Sequence, residues 1–216
     1  KNPMLSRGIF DENEFILIAG STWEPDERLV YKCITDLREE LNLKIRVIYV
    51  PHEPGKERLN FLSNLVGDYI YLSDILKLLD SGKSNAEIKS IISNKDIICD
   101  SIGKLLRIYS IGDCAYIGGG FGAGVHSLSE PAGYGIPLAC GPNIKKSYDA
   151  EYFLQNGALQ IVSSPKHLAP WLYSIIIDNE KRKSIGEILK NYIYQSAGTS
   201  RLISIKLLNK LEKVKE

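Results

Sequence analysis

Continuous apolar runs alternate with stretches of helical period about six times along this chain, with connections of only a few residues between them. A strand that is apolar along its whole length offers no face to water and has to be covered on both sides, which is the situation inside a parallel sheet. The runs lie at residues 15–19, 45–50, 69–71, 96–99, 114–117, 137–140 and 159–162. Between the first two, Glu24, Pro25, Asp26 and Glu27 open a helix, because proline lacks the N–H that a first turn leaves unpaired and the acids complement the helix dipole. Leu29, Val30, Cys33, Leu37 and Leu41 then recur at helical spacing up to about Asn42. Ser84 and Glu87 form a capping-box pair for a later helix, and residues 56–65, 102–111 and 150–154 read as further helices. The pattern predicts an α/β fold, a Rossmann-like doubly wound parallel sheet of about six strands with helices on both faces.

The chain divides into a linker over 1–13, a single domain over 14–198 and an amphipathic helix over 199–216. That last helix sets Leu202, Ile205, Leu208 and Leu211 on one stripe, with Lys206, Lys210, Lys213 and Lys215 elsewhere. Such a stripe serves a core or an interface, and contact with an anionic membrane is the lesser alternative.

Lys and Arg total 27 against 26 for Asp and Glu, so there is no general electrostatic reason to expect nucleic acid as a partner. Cys33, Cys99, Cys114 and Cys140 have no CxxC spacing and read as buried free thiols rather than a disulfide or metal set. No apolar run reaches the roughly 18 residues that span a bilayer, and the acidic start does not form a signal peptide. The expected location is cytoplasmic. The first residue is Lys1 rather than methionine, which suggests a piece of a longer chain.

In open α/β sheets ligands bind beyond the carboxyl ends of the strands. Here those ends carry Gly20-Ser21-Thr22, Pro51-His52-Glu53, Asp100-Ser101-Ile102-Gly103 and the glycine-rich stretch 117–142. Gly118 to Ala123 matches GxGxxA, but it is not in the first βα turn and no acid follows about 20 residues on, so a dinucleotide site is disfavoured. No GxxxxGK[ST] occurs, since Lys77 stands where the first glycine before Gly82-Lys83-Ser84 would have to be, which excludes a P-loop. Gly119, Gly120, Gly122 and Gly124 let the backbone approach a ligand closely and aim N–H groups at an anion such as a nucleotide phosphate. Ser127 with Glu130 reads equally as a capping box or, in Glu130, as a carboxylate for the two hydroxyls of a ribose. His167 reads as solvent-facing. His52 and His126 follow strands and can donate to phosphate or sugar oxygens; a metal pair is a weaker alternative, without a third ligand at suggestive spacing. There is no GxSxG and no cysteine in a nucleophile setting.

Four strings carry a resemblance: GSTWEPDE at 20–27, VPHEP at 50–54, DSIGKLLRIY at 100–109 and AYIGGGFGAGVHSLSEPAGYGIPLACGP at 115–142. In this order they resemble the C-terminal half of the 3-deoxy-D-manno-octulosonic acid (Kdo) transferase family, over about 15–199. The resemblance implies a GT-B glycosyltransferase, inverting and metal-independent, that transfers Kdo from CMP-Kdo to lipid A precursor in lipopolysaccharide biosynthesis, without a cofactor. In this family two Rossmann-like domains face each other, and this chain would be the donor domain. It implies CMP contacts at Pro51 and His52, at Ile102, Gly103 and Lys104, and at Ser127, Leu128, Ser129 and Glu130. Ser21, Thr22, Gly119, Gly120, Gly122, Gly124 and His126 would support them. The family's catalytic carboxylate and membrane anchor belong to the other half, so no catalytic residue is assigned here; the acceptor would be reached through an N-terminal domain at the inner face of the inner membrane. Two positions depart from the family: Ser127 stands where asparagine is usual, and His52 where many members have arginine nearby. The alternatives are another GT-B enzyme acting on a UDP-sugar, including an epimerase, and a non-catalytic module of the same fold.

Overall fold

A computed structural model describes residues 4–196, so the amphipathic stripe expected over 199–216 lies outside the described residues. In chain order the elements are β1 (Phe15–Thr22), α1 (Glu24–Leu41), β2 (Ile45–Pro51), α2 (Lys56–Val66), β3 (Tyr69–Tyr71), α3 (Leu72–Asp80), α4 (Asn85–Ile92), β4 (Asp96–Ile98), α5 (Leu105–Ile108), β5 (Cys114–Ile117), α6 (Ser129–Tyr134), β6 (Leu138–Cys140), α7 (Tyr148–Gln155), β7 (Leu159–Ile161), α8 (Pro165–Ile177) and α9 (Asn179–Ser196). All strands pair in parallel in one seven-stranded sheet of order β3-β4-β2-β1-β5-β6-β7. This is the expected doubly wound architecture, with seven strands where about six were expected.

The three central strands owe their place to their composition. β2 and β5 are buried at every position, and β1 at every position but Ser21. All four cysteines are free thiols buried in this core. α1 packs against α8, and α6 against α9. The Ser84–Glu87 box caps α4 as its spacing predicts. No helix among the described residues is long and apolar enough to cross a membrane.

Within the stretch read as a linker, Arg7–Ile9 forms a 3-10 turn, and Leu5, Ile9 and Phe10 are buried against the core. The helix expected over 102–111 is instead α5 followed by a 3-10 turn at Tyr109–Ile111. At the amino edge of the sheet, Arg38 makes a bidentate pair with Asp96 and Arg46 pairs with Glu14, which fixes the strand ends opposite the site.

Candidate functional site

The strand order reverses between β1 and β5, so their carboxyl ends open the crevice where a doubly wound sheet receives ligands. The backbone is tight here. Gly118 N–H donates to Gly20 O at 2.9 Å, and a Cβ on Gly118 would lie 2.3 Å from Ser21 O. Ser21 bulges out of β1 with φ +52, a left-handed conformation that costs a non-glycine residue energy and recurs at functional sites. Beyond it, His52 N–H donates to Thr22 O at 3.0 Å, tying the end of β2 to that of β1.

Asp26 organises the crevice floor. It is 1% exposed, and its carboxylate accepts the Trp23 N–H at 3.0 Å, the Gly119 N–H at 3.0 Å and the Tyr116 hydroxyl at 2.8 Å. One side chain therefore caps α1 and holds the start of the glycine loop against β5. Next to it Glu27 is wholly buried, accepting the Thr22 hydroxyl at 2.8 Å and pairing with Arg58 at 2.7 Å. Burial pushes its carboxyl above the usual range, opposed mainly by the Arg58 charge. Arg58 is thereby committed to Glu27.

Three rings line up over this floor. Trp23 and His52 have centroids 5.1 Å apart, and His52 stacks on His126 at 4.1 Å and 13°. The Trp23 indole N–H donates to His126 Nε2 at 3.2 Å. A neutral His126 then carries its proton on Nδ1, as a donor. Burial, then the neighbouring His52, lowers its pKa, against the pull of Asp26.

Two cavities meet at His52. One of about 540 Å³ is lined by Trp23, Pro25, Asp26, His52, His126 and the glycine loop at Gly119, Phe121, Gly122, Ala123 and Gly124. The other, about 340 Å³, is lined by His52, Glu53, Pro54, Gly55, Asp100, Ser101 and Ile102. Ile102 is 80% exposed at its mouth, before Gly103 (φ +76) and Lys104 at the N-cap of α5. Of the expected residues, the structure thus brings together His52, Ile102, Gly119, Gly122, Gly124 and His126.

The remaining expected residues line neither cavity. Pro51 is buried at the end of β2, Thr22 faces Glu27, and Gly120 packs on Gly141, with its would-be Cβ 2.6 Å from the Gly141 Cα. The capping box over Ser127 and Glu130 does not form. Leu128, 1% exposed, takes the N-cap place of α6 in a right-handed helical conformation, so Ser127 sits one residue too early to cap. The Ser129 hydroxyl donates to Asp149. Glu130 is exposed, and burial, then the Glu130 charge, raises the pKa of Tyr109 in the 3-10 turn that follows α5. His167 is exposed, as read, and bonded to Ser163. Sequence reasoning misses Asp26, because an acid in the first turn of a helix after a strand reads as dipole complement alone.

No family model matches the chain. Among curated proteins, a 3-deoxy-D-manno-octulosonic acid transferase of Rickettsia prowazekii is 27% identical over 173 residues, 80% of this chain and 35% of that protein. One of Chlamydophila psittaci is 32% identical over 148 residues, 66% of this chain and 30% of that protein. The chain thus spans about a third of the length of these relatives. Among solved structures, the C-terminal CMP-Kdo binding domain of WaaA from Acinetobacter baumannii matches with a TM-score of 0.68 at 18% identity, over 85% of this chain and 91% of that one. Anabaena HepE in complex with UDP and glucose matches at TM-score 0.59 and 14% identity, over 91% of this chain and 49% of that one. At such identities the structures establish the fold, a GT-B-type Rossmann-like domain.

Proposed function

We infer that this chain, by sequence a member of the 3-deoxy-D-manno-octulosonic acid transferase family, is the donor-binding half of an enzyme that transfers Kdo from CMP-Kdo to lipid A precursor. The observation that carries this reading is the convergence on His52: the glycine loop with His126 meets it on one side, and the segment around Ile102 on the other. The nucleotide would occupy the smaller cavity, near Ile102, Gly103 and Lys104, with Glu130 available to the ribose hydroxyls. The sugar end would point toward the larger cavity under the glycine loop.

Displacement at the sugar carbon leaves negative charge on the departing CMP phosphate. The N–H groups of Gly119, Gly122 and Gly124 are bonded to Asp26 and to the loop's own carbonyls, which leaves the Nδ1–H of His126 as a donor fixed before the reaction that stabilises this charge at little reorganisation cost. The proton acceptor for the attacking hydroxyl would come from an acceptor domain, so this chain alone would bind donor and turn over little. The donor domain would start near Leu5 rather than at residue 14, since Leu5, Ile9 and Phe10 are buried.

Trp23 lies 5.1 Å from His52, the residue that both cavities share, and so provides the test. Titration with CMP should change the indole fluorescence saturably. A folded sample whose emission is unmoved by millimolar CMP contradicts the reading, and a response to UDP but not CMP favours a UDP-sugar enzyme of the same fold.

A further inference from the structure

α6 has only six residues and no side-chain N-cap, so its position is set by what packs on it rather than by its own helical stability. Both of its ends are held from α9. At the carboxyl end, a Cβ on Gly186 would come within 2.3 Å of the Gly135 carbonyl oxygen, so the two backbones touch at a point where only glycine fits. At the amino end, the Asp149 carboxylate on α7 accepts the Ser129 hydroxyl with one oxygen and the Tyr192 hydroxyl with the other, the latter at 2.6 Å. The Tyr192 ring is fixed in turn, at 4.4 Å from Tyr152 and 4.9 Å from Phe153. The Asp149 hydrogen bond, with some burial, pushes the Tyr192 phenol up to about 12, which keeps it a donor to that carboxylate at any ordinary pH.

We propose that Asp149, buttressed by Tyr192, is a positioning residue of the donor site, acting through Ser129 to fix the first turn of α6 and with it the Glu130 carboxylate. This rests on the reading that the 127–130 segment contacts nucleotide, but the tether is a property of the ligand-free protein. A carboxylate suits the task because it is an acceptor only, with one oxygen for each hydroxyl. Charge-assisted bonds of this kind are the stronger class, so their loss should be felt one residue away, at Glu130.

The test is a double-mutant cycle on the full chain, Asp149→Ala and Ser129→Ala, with CMP as the probe in calorimetry and amide hydrogen exchange of the ligand-free proteins as the second readout. Asp149→Ala should weaken CMP about tenfold in the parent and by less than about twofold once Ser129 is already alanine. It should also speed exchange across α6 about tenfold while leaving β5 unchanged. If Asp149→Ala does not fold, Tyr192→Phe takes its place with a smaller effect of the same pattern. Equal loss of affinity in both backgrounds, or α6 exchange unchanged by the substitution, overturns the proposal. A parent chain that fails to bind CMP while α6 exchange responds as expected refutes the nucleotide reading and leaves the tether standing.

Discussion

The Trp23 indole N–H points at Nε2 of His126 across 3.2 Å, and this single bond joins the start of α1 to the far end of the glycine loop. It requires that nitrogen to be unprotonated. Burial and His52 lower the His126 pKa, so the fold favours the neutral ring and the unfolded chain binds more protons once pH drops toward about 6.5. Stability contributed by His126 is therefore complete above its unfolded value and is lost as pH falls from there through its folded value. Urea denaturation from pH 8 to pH 5.5 should show this slope, and His126→Asn should flatten it in that window. An identical slope in the variant would mean that another group sets it.

Substitution of the glycines should separate those that pack from those that face a ligand. Gly118→Ala places a methyl 2.3 Å from Ser21 O and 2.6 Å from the Thr22 Cα, backbone atoms that cannot yield, so it should cost at least about 2 kcal/mol. Gly122→Ala meets nothing closer than 3.8 Å and should change stability by less than about 0.5 kcal/mol. Thermal or chemical unfolding of the two variants decides this; comparable losses at both positions would contradict the packing described.

Removing Asp26 should do more damage than its place in a helix first turn suggests. Asp26→Ala leaves the Gly119 N–H, the Trp23 N–H and the Tyr116 hydroxyl without their acceptor, at a cost of about 3 kcal/mol or more. Asp26→Asn keeps one accepting oxygen and should lie between. A loss below about 1 kcal/mol, the size of an ordinary N-cap effect, would show that the glycine loop does not depend on it.

The Glu27–Arg58 pair gives a pH-dependent prediction. Arg58→Met removes the charge that opposes the desolvation of Glu27, and stranding a buried carboxylate costs about 3 kcal/mol near pH 8. With its folded pKa raised further, Glu27 takes up a proton in the folded state as pH falls. The cost of the substitution should therefore shrink toward pH 5. A pH-independent cost would place the effect in lost packing on Phe61, over which the Arg58 guanidinium lies at 5.2 Å.

The sheet was legible because its strands are apolar throughout: burial on both faces leaves a mark in composition that no turn or cap obscures. The strand ends were legible for the same reason, and His52, Ile102, His126, Gly119, Gly122 and Gly124, picked out at those ends, line the two cavities that share His52. Leu5, Ile9 and Phe10 were not, since a single 3-10 turn is too short to establish a period. The Ser127–Glu130 spacing misled because capping geometry competes with burial: anchoring Leu128 in the core shifts the start of α6 by one residue and turns Ser129 toward Asp149. Asp26 and Asp149 act through partners about 90 and 20 residues away, a kind of contact that no local pattern records.

Calorimetric titration of the folded chain with CMP and, in parallel, with UMP tests the central claim most directly. The account predicts saturable binding of CMP and clearly weaker binding of UMP. No heat at millimolar CMP, or equal affinity for the two nucleotides, would contradict it.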